Sequence, residues 1–397
     1  MLIGVVGKPS SGKSTFFSAA TMVETEIANY PFTTIEPNKG IGFVRIECID
    51  KEFKVQCNPR TGYCKNGIRF VPVEMIDVAG LVPGASTGKG RGNAFLSDLS
   101  RADVLIHVVD ASGSINEKGE PVALGSYNPC NDIKFLEEEI GLWFFGILQK
   151  NWQKISKQPI ESKQKKLEAL SSALSGLAIK ESQLEKALKE TGLEEKKFQQ
   201  WAEEEKKEFA FALRKISKPI VIAANKCDIP VSENKIKEMK EKFPGYLIIP
   251  CSGFAEMALK KAAKQGLIEY EAGAKEFKEK GELNEKQKGL LEAVKKTVLE
   301  KYGSTGIQEI LEKSVFEVLK YIAVFPAGTK KLEDSEGNIL PDVFLIPPNS
   351  TALDFAFRLH TTMGKGFIRA IDVKTKHMVG KEHKLKHRDA IEIIFKE

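Results

Sequence analysis

The chain is poor in the patterns that several common chemistries require. None of its six cysteines forms a Cys-x-x-Cys pair, so spacing gives a zinc site little support. Cys57 and Cys64 come nearest, in "CNPRTGYC". The turn chemistry of "NPRTG" can set them across a hairpin, as two reduced thiols or as a disulfide. Of five histidines, four lie from His360 onward, in and around the basic run "KTKHMVGKEHKLKHRD", where exposed side chains are expected rather than a metal site. No apolar stretch approaches the roughly 20 residues of a membrane span. The apolar start "MLIGVVGKPSSGKST" has no basic leader and is soon broken by glycines and a lysine, so a cytoplasmic protein is expected. Charge of one sign is also scarce. The net +6 permits an RNA partner without requiring one.

What remains is a soluble composition, 42% hydrophobic and 29% charged, over 397 residues. That length supports two or three domains with real cores. Apolar, β-rich runs end in turns at "LIGVVG", "VPVEMIDVAG", "VLIHVVDAS", "IVIAANKCD" and "YLIIPCSG". Continuous apolar strands with helices between them predict a parallel sheet covered on both faces. Residues 40–70 read as a strand pair added before the second run.

The interval from Asp77 to Asn225 is too long for one strand-helix-strand unit. Its excess, residues 131–215, is rich in Lys, Glu, Ala and Leu. Leu167, Leu170, Leu174 and Leu177 recur at helical steps, which predicts an inserted helical arm, an antiparallel pair at its simplest. The leucine stripe is expected to be the seam between helices. A second Lys/Glu-rich helical stretch runs from about Ala255 to Lys313. From 321 to 397 the order strand, strand, helix, strand, strand predicts a small α+β domain, with Thr351 and Asp354 at capping-box spacing. The P-loop domain is then 1–130 with 216–320.

"GKPSSGKST" is a complete P-loop after a strand and before a helix. Gly7, Lys8, Pro9, Ser10, Ser11 and Gly12 would wrap backbone N–H groups around phosphate, with Thr15 in the first helical turn. Lys13 would reach the β- and γ-phosphates, and Ser14 would ligate Mg2+, a hard ion that takes oxygen ligands. Asp77, ending a buried strand, would hold the metal through water, and Gly80 would offer its N–H to the γ-phosphate. In "NYPFTTIEPN" Thr34 is the expected switch threonine and metal ligand, with Thr33 as the fallback. Lys13, Thr34 and Gly80 form the expected catalytic set.

"NKCD" selects the base. The Asp228 carboxylate can accept from the N1–H and exocyclic amine of guanine, whereas adenine would present a lone pair to it. Asn225 would bind the base or brace the P-loop, and the Lys226 stem would lie along the ring. Ser252, or the N–H of Gly253, would approach the guanine carbonyl. Leu81 stands where many GTPases carry the glutamine that orients water, and leucine cannot make that hydrogen bond.

"NYPFTTIEPN" and "DVAGLVPGASTGKGRGNAFLSDLSRADVLIHVVDAS" resemble the Obg-like GTPases of the YchF-related branch, as does the arm between the third and fourth motifs. "VFLIPPNSTALDFAFRLHTTMGKGFIRAIDVKTKHMVG" is similar to a TGS domain, a ubiquitin-like β-grasp module. The resemblance implies a Ras-like α/β core with an α-helical arm and a C-terminal TGS domain, and contact with RNA or the ribosome. A hydrophobic residue at Leu81 is a trait of that family. Two departures stand out. Relatives that favour ATP end the fourth motif in glutamate, where this chain has Asp228. Relatives often carry asparagine at the position of Ser10, which leaves a potassium requirement open.

The resulting expectation is a Mg2+-dependent protein that binds GTP and GDP and hydrolyses GTP slowly. A partner, ribosome or RNA but not DNA or membrane, would complete the site. The competing readings are an ATP-preferring NTPase, a P-loop kinase, and an RNA-binding scaffold whose nucleotide is structural.

Overall fold

A computed structural model describes residues 1–22, 38–78, 98–158, 162–334 and 336–396. Thr33, Thr34, Gly80 and Leu81 lie outside the described residues. The chain divides into two compact units. One holds residues 2–20 and 75–310, and the other holds Met1, 21–74 and 311–397.

The first unit is built on parallel strands, as the apolar runs predict. β1 (Leu2–Val6) pairs with β5 (Val104–Asp110), β5 with β6 (Ile220–Asn225), and β6 with β7 (Leu247–Pro250). Every residue of β1, β5 and β6 is buried. That explains their largely apolar character, because a strand covered on both faces has no solvent side to alternate toward. Asp110 is paired with Asn225 and Ala224 with Pro250, so the carboxyl ends of these strands align. Open α/β sheets place ligands at that edge. The end of β4 (Ile68–Asp77) joins them, with Val78 N–H donating to Val5 O at 3.0 Å. Helix α1 (Lys13–Thr21) follows β1 directly.

The inserted arm is larger than a helix pair. It comprises α2 (Cys130–Ser156), α3 (Lys163–Ala173), α4 (Glu181–Glu190) and α5 (Glu203–Ser217). In α2, Ile133, Leu136, Ile140, Phe144 and Leu148 are buried at steps of three and four residues, the pattern of one helical face. Leu167, Leu170, Leu174 and Leu177 are all buried, so the leucine stripe is an internal seam. Trp152, Phe198, Trp201 and Phe209 pack through ring contacts of 5.2–5.6 Å. The buried Lys166 ammonium donates to the carbonyls of Leu193, Glu194 and Lys196, which fixes the loop between α4 and α5.

α6 (Ser232–Lys242), between β6 and β7, and α7 (Gly253–Lys264), after β7, flank the base-side loops. The helical stretch expected over 255–313 is interrupted by a short antiparallel pair, β8 (Ile268–Glu269) with β9 (Lys278–Glu279). Lys/Glu content signals an exposed helix face but does not register the Gly273 turn, which takes positive φ.

In the second unit, β2 (Lys39–Glu47) lies beside β4, and β3 (Tyr63–Lys65) closes an antiparallel hairpin onto β4. Asn66 and Gly67 make its two-residue turn with φ of 53° and 77°, the left-handed pair that matches strand twist. The C-terminal sheet runs β11 (Phe344–Ile346), β10 (Ile322–Pro326), β14 (Asp389–Phe395), β12 (Phe367–Asp372), β13 (Met378–Val379). β10 and β14 are parallel and the other neighbours antiparallel, giving the mixed sheet of a β-grasp domain. The helix Ala352–Leu359 starts from the expected capping box, with Thr351 and Asp354 bonded reciprocally, and buries Phe355 against Val324, Ala370 and Ile391. Among the described residues no helix is long and apolar enough to cross a membrane.

Candidate functional site: a P-loop tied to the Asn225 turn

Gly7 begins the loop where β1 ends, and a Cβ there would come within 2.7 Å of Val108 O. The loop turns through Ser10 with φ 63° and Gly12 with φ 88°. A side chain at Gly12 is barred twice, by that φ and by Asn225 Nδ2, which a Cβ would meet at 2.2 Å. Pro9, Ser10 and Ser14 are exposed, and Thr15 is half-buried. Phe16 N–H closes the first helical bond onto Gly12 O at 2.8 Å, so α1 aims its amino end at this loop.

Lys13 forms an ion pair with Asp77. A lysine from the phosphate loop and a carboxylate from the neighbouring strand therefore reach the same spot. The donors there fit a hard cation, since Ser14 and Asp77 offer oxygen only.

Lys8 behaves differently from the other loop residues. Its ammonium is buried, contacts both Asp132 carboxylate oxygens at 3.0 and 2.8 Å, donates to Ile115 O, and lies 3.8 Å from the centre of the Tyr127 ring. The side chain anchors the loop to the start of α2, and its backbone is the part left for a phosphate. Tyr127 O–H also donates to Asp132. Burial pushes the Asp132 carboxyl up and the Lys8 charge opposes that. Nearby, His107 is buried among these groups with its pKa lowered to about 3, chiefly by burial and then by the Lys8 charge, so the ring is neutral. Lys8, His107, Tyr127, Asn131 and Asp132 line a pocket of about 330 Å³.

The base-side turn is assembled from three loops. Asn225 donates through Nδ2 to Ser11 O at 3.0 Å and accepts at Oδ1 from Gly253 N–H at 3.1 Å. Of the two roles open to Asn225, bracing the P-loop is the one seen. Lys226 takes φ 62° and sends its ammonium to Asp110 at 3.0 Å and Ser114 Oγ at 3.2 Å. Burial would raise the Asp110 carboxyl, but hydrogen bonds from Ser112 and Ser114 and the Lys226 ammonium bring it below its ordinary value. Ser232 Oγ–H donates to Lys226 O and Cys227 N–H to Cys251 O, which shapes the turn that carries Asp228. Asp228 is half-buried.

Ser252 is fully buried, and its hydroxyl caps α7 by accepting from Ala255 N–H at 3.1 Å. Its own N–H donates to Thr305 O at 3.0 Å. Below it Glu256, fully buried, accepts from Tyr270 O–H and Thr305 O–H and pairs with Lys260 at 3.4 Å. Sequence reading passed over Asp110, Glu256, Tyr270 and Thr305. Only Asp110 carried a signal, as a carboxylate ending a fully buried, mostly apolar strand.

Comparison with known proteins agrees with this geometry. Residues 2–126 match the family described as "50S ribosome-binding GTPase", residues 223–328 the "Obg-like GTPase YGR210-like, G4 motif-containing domain", and residues 330–395 the TGS domain. An uncharacterised GTP-binding protein of Methanocaldococcus jannaschii is 46% identical, covering 99% of this chain and 98% of its own length. Human Obg-like ATPase 1 is 31% identical over 68% of this chain and 65% of its own. The crystal structure of a GTP-binding protein from Pyrococcus horikoshii OT3 superposes over the whole of both chains with TM-score 0.78 at 37% identity. The Schizosaccharomyces pombe YchF GTPase shares the fold, with TM-score 0.58 at 21% identity over 99% of this chain and 97% of that one. With its P-loop, its asparagine-braced base turn and its β-grasp tail, the chain belongs to the Obg-like GTPases of the YchF family, with a C-terminal TGS domain.

Proposed function

We propose that this chain is a GTP-selective, Mg2+-dependent switch protein that hydrolyses GTP slowly by itself and faster on a ribosomal or RNA partner in the cytoplasm. The observation that carries the reading is the Asn225 brace. It couples the loop that would hold phosphate to the turn that presents Asp228, so one rigid frame would read both ends of a nucleotide.

Asp228 supports guanine, because its carboxylate complements the adjacent N1–H and exocyclic amine of that base, where adenine has a lone pair at N1 and no amine beside it. Gly7 to Thr15 would hold the phosphates through backbone N–H groups and the amino end of α1. Lys13 would leave Asp77 for the β- and γ-phosphates, placing positive charge where the leaving group gathers electrons. Ser14, Thr34 and Asp77 would hold Mg2+, which would neutralise charge on the phosphates. Gly80 N–H would report on the γ-phosphate. Leu81 offers no group to orient water, which supports slow intrinsic turnover and leaves that role to a partner. The family described as ribosome-binding, matched over residues 2–126, and the TGS match support a ribosomal partner.

A nucleotide panel tests this directly. GTP and GDP should bind well ahead of ATP, with single-turnover GTP hydrolysis accelerated by ribosomes. Tighter ATP binding would overturn the guanine reading in favour of the ATPase activity for which the human relative is named.

A further inference from the structure

The second unit contains a cluster that the nucleotide reading does not use. Cys48 follows β2, Asp50 lies two residues on, Cys57 lies in the next loop, and Cys64 sits in β3. Their ligand-type atoms all fall within 4.8 Å of one another. Cys48 Sγ and Cys57 Sγ are 3.7 Å apart, and Cys64 Sγ is 3.8 Å from Asp50 Oδ2. All four thiol and carboxylate groups are buried or half-buried, with Cys48 and Asp50 each 2% exposed.

We propose that Cys48, Asp50, Cys57 and Cys64 form a structural zinc site. A tetrahedral centre with zinc–sulfur bonds of about 2.3 Å sets its sulfurs about 3.8 Å apart, and a zinc–oxygen bond of about 2.1 Å sets sulfur and oxygen about 3.6 Å apart. The Cys48–Cys57 and Cys64–Asp50 separations match these two values, whereas a disulfide needs about 2.05 Å. Apolar packing alone would account for three buried cysteines but not for the carboxylate among them, since burying Asp50 without a cation is unfavourable. Its Oδ1 is already oriented by Lys51 N–H at 2.8 Å, the kind of supporting bond that aims a ligand. Three thiolates and a carboxylate on a divalent ion leave two negative charges. Arg69, the register partner of Cys64 and 1% exposed, places one positive charge on the same hairpin, its guanidinium held by Leu340 O and Pro341 O and not paired with Asp50. The spacing, eight residues between Cys48 and Cys57 and six between Cys57 and Cys64, lacks the Cys-x-x-Cys signature, so the sequence conceals what the hairpin assembles.

The segment between Cys57 and Cys64 also docks the C-terminal part of the same unit. Asn58 N–H donates to Ile339 O and Arg60 N–H to Pro341 O, both at 3.0 Å, and Arg60 pairs with Asp334. A metal at the root of this loop would therefore fix the surface on which residues 334–342 rest.

The test is metal binding by the full chain, purified reduced and stripped of metal. Cobalt should bind once per chain, with thiolate-to-cobalt charge-transfer bands and the intense visible bands of a tetrahedral centre, and zinc should displace it. Cys48→Ser and Cys57→Ser should abolish the bands, Asp50→Asn should weaken affinity at least about tenfold, and Cys130→Ser should change nothing. Chelation of the zinc form should speed tryptic cleavage at Arg60 by about tenfold or more. Absence of thiolate–cobalt bands in the reduced wild type would overturn the proposal even if the variants fail to fold. So would two missing thiols in a titration of the unfolded, unreduced protein, which would indicate a disulfide.

Discussion

Asn225 Nδ2 donates to the backbone oxygen of Ser11 at 3.0 Å across 214 positions of sequence. The same side chain accepts from Gly253 N–H, so one amide spans the phosphate loop, the base turn and the start of α7. Asn225→Ala removes both bonds and leaves Ser11 O and Gly253 N–H unpaired. Each orphaned group is worth about 1–3 kcal/mol. Affinity for GTP and GDP, measured by fluorescent-nucleotide titration, should fall by at least about tenfold for both.

Asp228→Asn replaces a carboxylate that suits guanine with an amide that can present either an acceptor or a donor. GTP affinity should drop by about 100-fold or more, with ATP affinity changing by less than about threefold. Equal losses for the two nucleotides in calorimetric titration would mean that Asp228 acts on the turn and not on the base.

The buried Lys8–Asp132 pair gives a stability prediction of a different kind. Lys8→Met leaves the Asp132 carboxylate without its cation and should destabilise the protein by about 3–5 kcal/mol in urea unfolding. Adding Asp132→Asn removes the stranded charge while keeping an acceptor for Tyr127. The double variant should recover most of the loss. If it is as unstable as the single variant, the Lys8 stem matters through packing and not through charge.

His107 predicts a pH dependence with a defined sign. Its pKa is lowered from 6.5 to about 3 on folding, so the unfolded chain binds the proton more readily than the folded one. The associated stability is fully present above about pH 6.5 and is lost as pH falls toward 3, by up to about 1.4 kcal/mol for each pH unit. His107→Gln should flatten the acid limb of the unfolding free energy in that window. An unchanged limb would place the acid sensitivity in other groups.

Much of the candidate site is legible in the sequence because its parts are contiguous. A P-loop is nine residues whose glycines, lysine and serine act through one strand-to-helix turn, and "NKCD" places its residues in one turn after one strand. Local backbone rules suffice for both. The capping box at Thr351 and Asp354 was legible for the same reason. The arm was read as helical from its period, but its four helices were not, since periodicity reports a buried face and not what covers it. The hairpin within 255–313 was missed because Lys and Glu are common on exposed surfaces of either kind.

By itself, then, the sequence determined the class of chemistry. Gly12, Lys13, Asp77 and Asp228 are the residues proposed to hold the nucleotide, and each is legible from its own turn. Tertiary structure decided what those turns are fastened to. It gave the Lys8 side chain an anchoring role against Asp132, tied Asn225 to the P-loop, and brought Cys48, Asp50, Cys57 and Cys64 to one point. These depend on side chains far apart in sequence meeting at distances of a few ångströms, and only the packed sheet and hairpin set those distances.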